Sequence, residues 1–93
     1  MIPTTFSLDY DNTYTRHPEL WLKFVEDAHA HGHKVYCITF RYDYECDDID
    51  PRLKQLVEII PTGRKAKRTF ARLKNIYVDV WIDDQPDYIV EGL

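Results

Sequence analysis

Within 93 residues, four short apolar runs alternate with three stretches of helical periodicity, and that alternation leaves little choice of architecture. The first run spans residues 4–9, where Phe6 and Leu8 alternate with Thr5 and Ser7. The second spans residues 34–40 and is continuous at Val35, Tyr36, Cys37 and Ile38, the pattern of a central strand covered on both faces. Glu58-Ile59-Ile60 is a short third strand. The fourth spans residues 76–82, with Ile76, Val78, Val80 and Ile82 expected on one face and Tyr77, Asp79 and Trp81 on the other.

Pro18 suits a first helical position, and Glu19 behind it favours the positive helix end. Leu20, Trp21, Phe24, Val25 and Ala28 make the expected apolar stripe, which Gly32 ends. Pro51 opens a short helix with Leu53, Leu56 and Val57. Thr62-Gly63 turns the chain into a helix over residues 65–75, carrying Ala66, Phe70 and Leu73. The order βαβαβαβ predicts an α/β fold with a parallel sheet and right-handed crossovers. No repeat, linker or composition break divides residues 1–93, so one domain is expected.

Charged residues make up 30% and hydrophobic residues 44% of the chain, an ordinary globular balance. The net charge of −4 speaks against general nucleic-acid binding by electrostatics. No apolar stretch is long enough to span a membrane, and no membrane partner is expected. The N-terminus, Met1-Ile2-Pro3-Thr4-Thr5, has no charged and apolar leader pattern. Cys37 and Cys46 fit no metal or redox spacing, so a reducing, cytoplasmic setting is expected.

Two acidic segments stand where apolar runs stop. One is Asp9-Tyr10-Asp11-Asn12-Thr13 after the first run; the other is Asp83-Asp84-Gln85-Pro86 after the fourth. If those runs are neighbouring parallel strands, their carboxylates meet at the carboxyl edge of the sheet, where open α/β sheets bind ligands. Two such charges 4 Å apart repel by about 4 kcal/mol at an effective dielectric of about 20. The cluster therefore needs a cation, and carboxylates suit a hard one such as Mg²⁺.

With Ile38-Thr39, with Arg41, and with Thr62-Gly63-Arg64-Lys65-Ala66-Lys67 between them, these motifs resemble those of the haloacid dehalogenase-like (HAD) phosphohydrolases. Residues 81–86 are similar to the ending of deoxyribonucleotidase-type and small phage or bacterial members. The resemblance covers residues 4–86. It implies a three-layer, Rossmann-like core with strand order 3-2-1-4 and a Mg²⁺-dependent phosphomonoesterase. Asp9 would be the nucleophile, forming an aspartyl-phosphate, and Asp11 the general acid and then base, with its carbonyl on the metal. Thr39 would bind a phosphoryl oxygen. Lys67 would balance charge, with Lys65 as the alternative for that role. Asp84 would be the direct carboxylate ligand beside Asp9, and Asp83 a water-mediated one. Asn12, Thr13, Arg41 and Lys65 would contact substrate, helped by backbone N–H groups of the Tyr10–Thr13 loop.

No room is left for a cap domain, so the site would be open. The substrate would then be a nucleotide, a phosphorylated polynucleotide end or another phosphorylated macromolecule. The alternative is a non-catalytic phosphate-responsive or protein-binding module that keeps the same metal site.

The plainer readings concern other clusters. His29, His31 and His33 suit a helix C-terminus better than a metal. The acidic stretch Asp43, Glu45, Asp47, Asp48 and Asp50 and the basic run Arg64, Lys65, Lys67, Arg68, Arg72 and Lys74 are expected to be largely solvated. Tyr10, Tyr14 and Tyr42 flank the site and could either stack on a base or pack on neighbours. Trp81 needs cover from residues 88–90 or from a second copy of the chain, which makes a homodimer a further expectation.

Overall fold

The computed structural model describes residues 2–93; Met1, the first residue of the stretch read for a leader, lies outside them. Four parallel strands, β1 (Thr5–Leu8), β2 (Lys34–Thr39), β3 (Glu58–Pro61) and β4 (Val80–Ile82), form one sheet in the order β3-β2-β1-β4. Both long motif-bearing segments thus leave adjacent strands: Phe6 is paired with Val80 and Leu8 with Ile82, and the ladder extends one step further through Asp9 N–H to the Ile82 carbonyl at 2.9 Å.

Helices α1 (Pro18–Ala30) and α2 (Pro51–Leu56) cover one face of the sheet, and α3 (Lys67–Leu73) the other. A last short helix, α4 (Asp87–Val90), packs beside α3. On the first face Leu8, Val35 and Cys37 meet Leu22, Val25, Ala28 and Leu53. The second face is thinner, with Ile38, Ile60 and Ala71 at its centre and Tyr36, Phe70, Ile76, Val78 and Trp81 packed around them. No helix is long and apolar enough to cross a membrane among the described residues. No cap is evident: residues 9–17 join β1 to α1 and residues 62–66 join β3 to α3, without an inserted lobe.

Several local expectations are corrected. Leu20 is exposed and Leu22 takes the buried position, because α1 turns Leu22, Val25 and Ala28 inward, with Trp21 and Phe24 at the margin. Helix α3 begins at Lys67 rather than Lys65, since Gly63 and Arg64 both have positive φ (63° and 69°) and break helical geometry before it. Lys67 and Ala71 therefore face the sheet, and Leu73 is left 80% exposed.

Strand β4 is only three residues long. Asn75 (φ 61°) reverses the chain at the end of α3, and Ile76 N–H caps that helix by donating to the Ala71 carbonyl at 2.9 Å. Ile76 and Val78 consequently join Trp81 on the α3 face, not Ile82, which packs on the α1 side. Trp81 is half-buried there, packed against the cluster of Ile38, Ile60 and Ala71.

Candidate functional site

At the carboxyl edge of β1, Asp9 is buried, 6% exposed. At the start of α3, Lys67 is 2% exposed. The turn through Gly63 and Arg64 aims that lysine back at the sheet, and its Nζ donates to Asp9 Oδ1 at 2.9 Å and to Asp83 Oδ2 at 2.5 Å. One ammonium thus joins the two acidic segments that the sequence places 74 positions apart (83 − 9). Thr13 completes the link: its hydroxyl lies 3.1 Å from Asp9 Oδ2 and 3.3 Å from Asp84 Oδ1.

Oxygens of Asp9, Asp83 and Asp84 lie within 4.8 Å of one another. Three carboxylates against one ammonium leave a formal charge of −2 (−3 + 1). That is a hard-oxygen donor set with unbalanced negative charge, which fits Mg²⁺ or a similar ion. Both oxygens of Asp83 are engaged, one by Lys67 and one by the Gln85 N–H at 2.9 Å. Asp84 is exposed, with a single bond from Thr13, and so has the freer oxygens for a direct metal bond.

The electrostatics follow from this crowding. Burial pushes the Asp9 carboxyl up to about 7, against the pull of Lys67, with the Asp84 contact and the Asp83 charge adding to the rise. Burial also works against the charged form of Lys67, yet Asp9 and Asp83 outweigh it and hold the ammonium above the ordinary lysine value. A metal ion would act in the same direction as Lys67 and favour ionised Asp9.

Asp11, Asn12, Thr39, Phe40, Gln85 and Tyr88 line a cleft of about 130 Å³ together with Asp9, Lys67, Asp83 and Asp84. The Thr39 hydroxyl oxygen accepts the Arg41 N–H at 3.3 Å, which leaves its own proton to donate elsewhere. Asp11 sits on the rim in a different state from Asp9. Arg41 Nε and Nη2 grip its two oxygens at 2.9 and 2.8 Å and hold its carboxyl below the usual carboxylate range. The side chain of Asp11 is therefore outside the three-carboxylate cluster.

Arg41 is itself fixed by Asp48, at 2.5 Å, and by the Glu45 carbonyl, at 2.6 Å. It reaches the site as the partner of Asp11 rather than as an open anion-binding group. Lys65 is exposed and lies over the Phe70 ring, 5.8 Å from its centroid, away from the cleft. Of the two lysines, only Lys67 meets the carboxylates. Within the Tyr10–Thr13 loop, Asn12 N–H donates to Thr15 Oγ1 and Thr13 N–H to the Tyr10 carbonyl, so these two amides are satisfied inside the loop.

Tyr10 and Tyr14 are buried and stacked, with centroids 5.3 Å apart. Tyr14 OH donates to Asp50 Oδ2 at 2.7 Å, and Asp50 N–H donates to Tyr10 OH at 3.0 Å. They anchor the site loop to the start of α2 and are not exposed to stack on a base. In the acidic stretch Asp43, Asp47 and Asp48 are exposed as expected, with Asp48 also holding Arg41, while Glu45 meets Arg64 at 3.4 Å and Asp50 caps α2 through the Arg52 N–H. His31 sits at the end of α1 as the plainer reading had it, with Nδ1 2.8 Å from the Asp27 carbonyl, whereas His33 Nδ1 accepts the Thr4 N–H just ahead of β1.

Sequence reasoning missed the aromatic wall of the cleft. Phe40 and Tyr88 stack at 4.2 Å, and both line it. Phe40, directly after Thr39, carried a signal in its position; Tyr88 carried none beyond its place in an apolar tail. Comparison of the chain with protein-family models, with curated proteins and with solved structures yields no match.

Proposed function

We propose that the protein is a Mg²⁺-dependent phosphomonoesterase that works through an aspartyl-phosphate on Asp9. The observation that carries the reading is the Lys67 ammonium held between Asp9 and Asp83, with Asp84 completing a hard-oxygen cluster. An ordinary helix cap or turn has no use for a lysine buried at the meeting point of three carboxylates, since burying charge is costly unless it is paired for a purpose.

In this reading Asp9, Asp83 and Asp84 would hold Mg²⁺, which would supply Lewis-acid charge neutralisation at the phosphoryl group. Asp9 attacks phosphorus; the bond to the leaving oxygen breaks and its electron pair departs with that oxygen, which takes a proton from Asp11. Water then attacks phosphorus, Asp11 accepts its proton, and the Asp9 carboxylate is released. Lys67 favours the ionised form of Asp9 and lowers repulsion against the incoming phosphate. Thr39 donates to a phosphoryl oxygen. As held by Arg41, Asp11 is ionised and suited to the second step; to act as acid in the first it must leave Arg41 and take up a proton.

Hydrolysis of a phosphomonoester panel, with Mg²⁺ and with EDTA, tests the reading. Turnover should require Mg²⁺ and vanish in Asp9→Asn; retained turnover in that variant would reject the assigned nucleophile. The grip of Arg41 on Asp11 favours one second reading, a phosphate-responsive module that turns nothing over. Stable phosphorylation from acetyl phosphate, released by hydroxylamine or alkali, without monoester hydrolysis would select it.

A further inference from the structure

Beyond the small cleft lies a larger open groove of about 720 Å³, and the two share Asp11, Phe40 and Tyr88. Its size suits the body of a substrate whose phosphate occupies the cleft. Its remaining walls come from Arg41, Tyr44, Glu45, Asp47, Asp48, Arg64 and Leu93. The formal charge of the lining is −2, from four acids and two arginines.

Both arginines are engaged by neighbours in the groove. Arg41 is closed by Asp11, Asp48 and the Glu45 carbonyl. Arg64 donates to the Phe40 carbonyl at 2.6 Å, meets Glu45 and lies over the Tyr42 ring at 5.0 Å. Asp47 is exposed on the groove wall, and Tyr44 and Leu93 form an apolar rim, 75% and 82% exposed.

A lining with a net charge of −2, three of its acids ion-paired and Asp47 not, beside an aromatic and apolar rim is complementary to a cationic head on an aliphatic stem, which a lysine or arginine side chain provides. It repels a phosphodiester chain, whose recognition needs the opposite charge. We propose that this groove receives the body of the phosphomonoester and selects a phosphorylated peptide with a basic residue next to the phosphorylated one. The proposal rests on the phosphatase reading for its chemistry, while the binding preference can be measured without turnover.

Two readouts separate the two. Anisotropy of labelled, unphosphorylated peptides should show tighter binding of a Lys/Arg-flanked sequence than of its Glu-flanked counterpart. The preference should weaken as salt rises, and Asp47→Lys should reduce it by about tenfold, the scale of replacing an attraction with a repulsion at an exposed pair. Asp47 is exposed, so thermal melts of that variant should match those of the wild type. With phosphoserine peptides, the basic-flanked substrate should exceed the acidic one and a 5′-phosphorylated oligonucleotide in kcat/KM, chiefly through KM. Equal or reversed peptide binding, or a preference for the oligonucleotide while p-nitrophenyl phosphate is still cleaved, overturns the groove assignment and leaves the phosphatase reading standing. Selective binding of the basic peptide without hydrolysis of any monoester upholds the groove and overturns the phosphatase.

Discussion

Without a metal ion, the protein should lose stability as pH rises from 5 to 8, and Asp9 is the reason. Burial lifts its folded-state pKa from 3.8 to about 7. A raised carboxylate contributes stability that is fully present below the unfolded value and is lost as pH climbs through the folded one. At about 1.36 kcal/mol per pH unit the full span is worth about 4 kcal/mol, and about 2–3 kcal/mol of it falls between pH 5 and 8. A 93-residue domain has in total about 5–14 kcal/mol, so the effect is large. Urea unfolding in EDTA at the two pH values reads it, and the corresponding drop in Tm is about 10–20 °C. Asp9→Asn should remove most of the slope. Mg²⁺ at pH 8 should restore the lost stability, because a cation favours the ionised carboxylate that burial disfavours. A flat profile in EDTA, or the same slope in Asp9→Asn, would refute the reasoning.

Further outcomes are expected elsewhere. Lys67→Met strands Asp9 and Asp83 and should cost about 3–5 kcal/mol in EDTA by urea unfolding, with Mg²⁺ recovering part of it; a loss below about 1 kcal/mol would show that the bridge carries little. Asp50→Ala removes the α2 cap and leaves the buried Tyr14 hydroxyl without its acceptor, so thermal melts should show a loss of about 2–3 kcal/mol. Asp50 is held at about 2, chiefly by Arg52 and Tyr14; the stability this pairing gives is present above the ordinary carboxylate value and should disappear as pH falls through about 2, an acid sensitivity that Asp50→Asn should lack. Asp11→Asn should reduce kcat by about 10²–10⁴-fold with little change in Tm, since its ion pair with Arg41 is partly exposed.

The four strands and the acidic segments at their ends were legible because they depend on patterns the chain writes locally; the sheet order that brings those segments together came only from the family resemblance. Continuous apolar residues at Val35–Ile38 mark a strand covered on both faces, and Asp9 and Asp83 each follow directly from a strand. The family resemblance favours Lys67 over Lys65, and the geometry shows why the two differ: the positive φ at Gly63 and Arg64 delays the helix until Lys67 faces inward. Leu73 and Leu20 were misplaced because helix phase depends on the first residue and on which face the sheet offers, and periodicity alone carries neither. The fourth strand was drawn too long because Asn75 turns by a left-handed conformation that few residue types announce. The pairing of Arg41 with Asp11 and Asp48, and of Phe40 with Tyr88, joins loops that only the folded sheet brings together.

The phosphoryl group on Asp9 is the most direct test of the whole account. Wild-type protein mixed with an intact phosphomonoester that it turns over and Mg²⁺, quenched in acid and digested, should carry a phosphoryl group on the peptide containing Asp9 and on no other, and borohydride should reduce that residue. Continued turnover with no label trapped, or with the label on a different side chain, would contradict it.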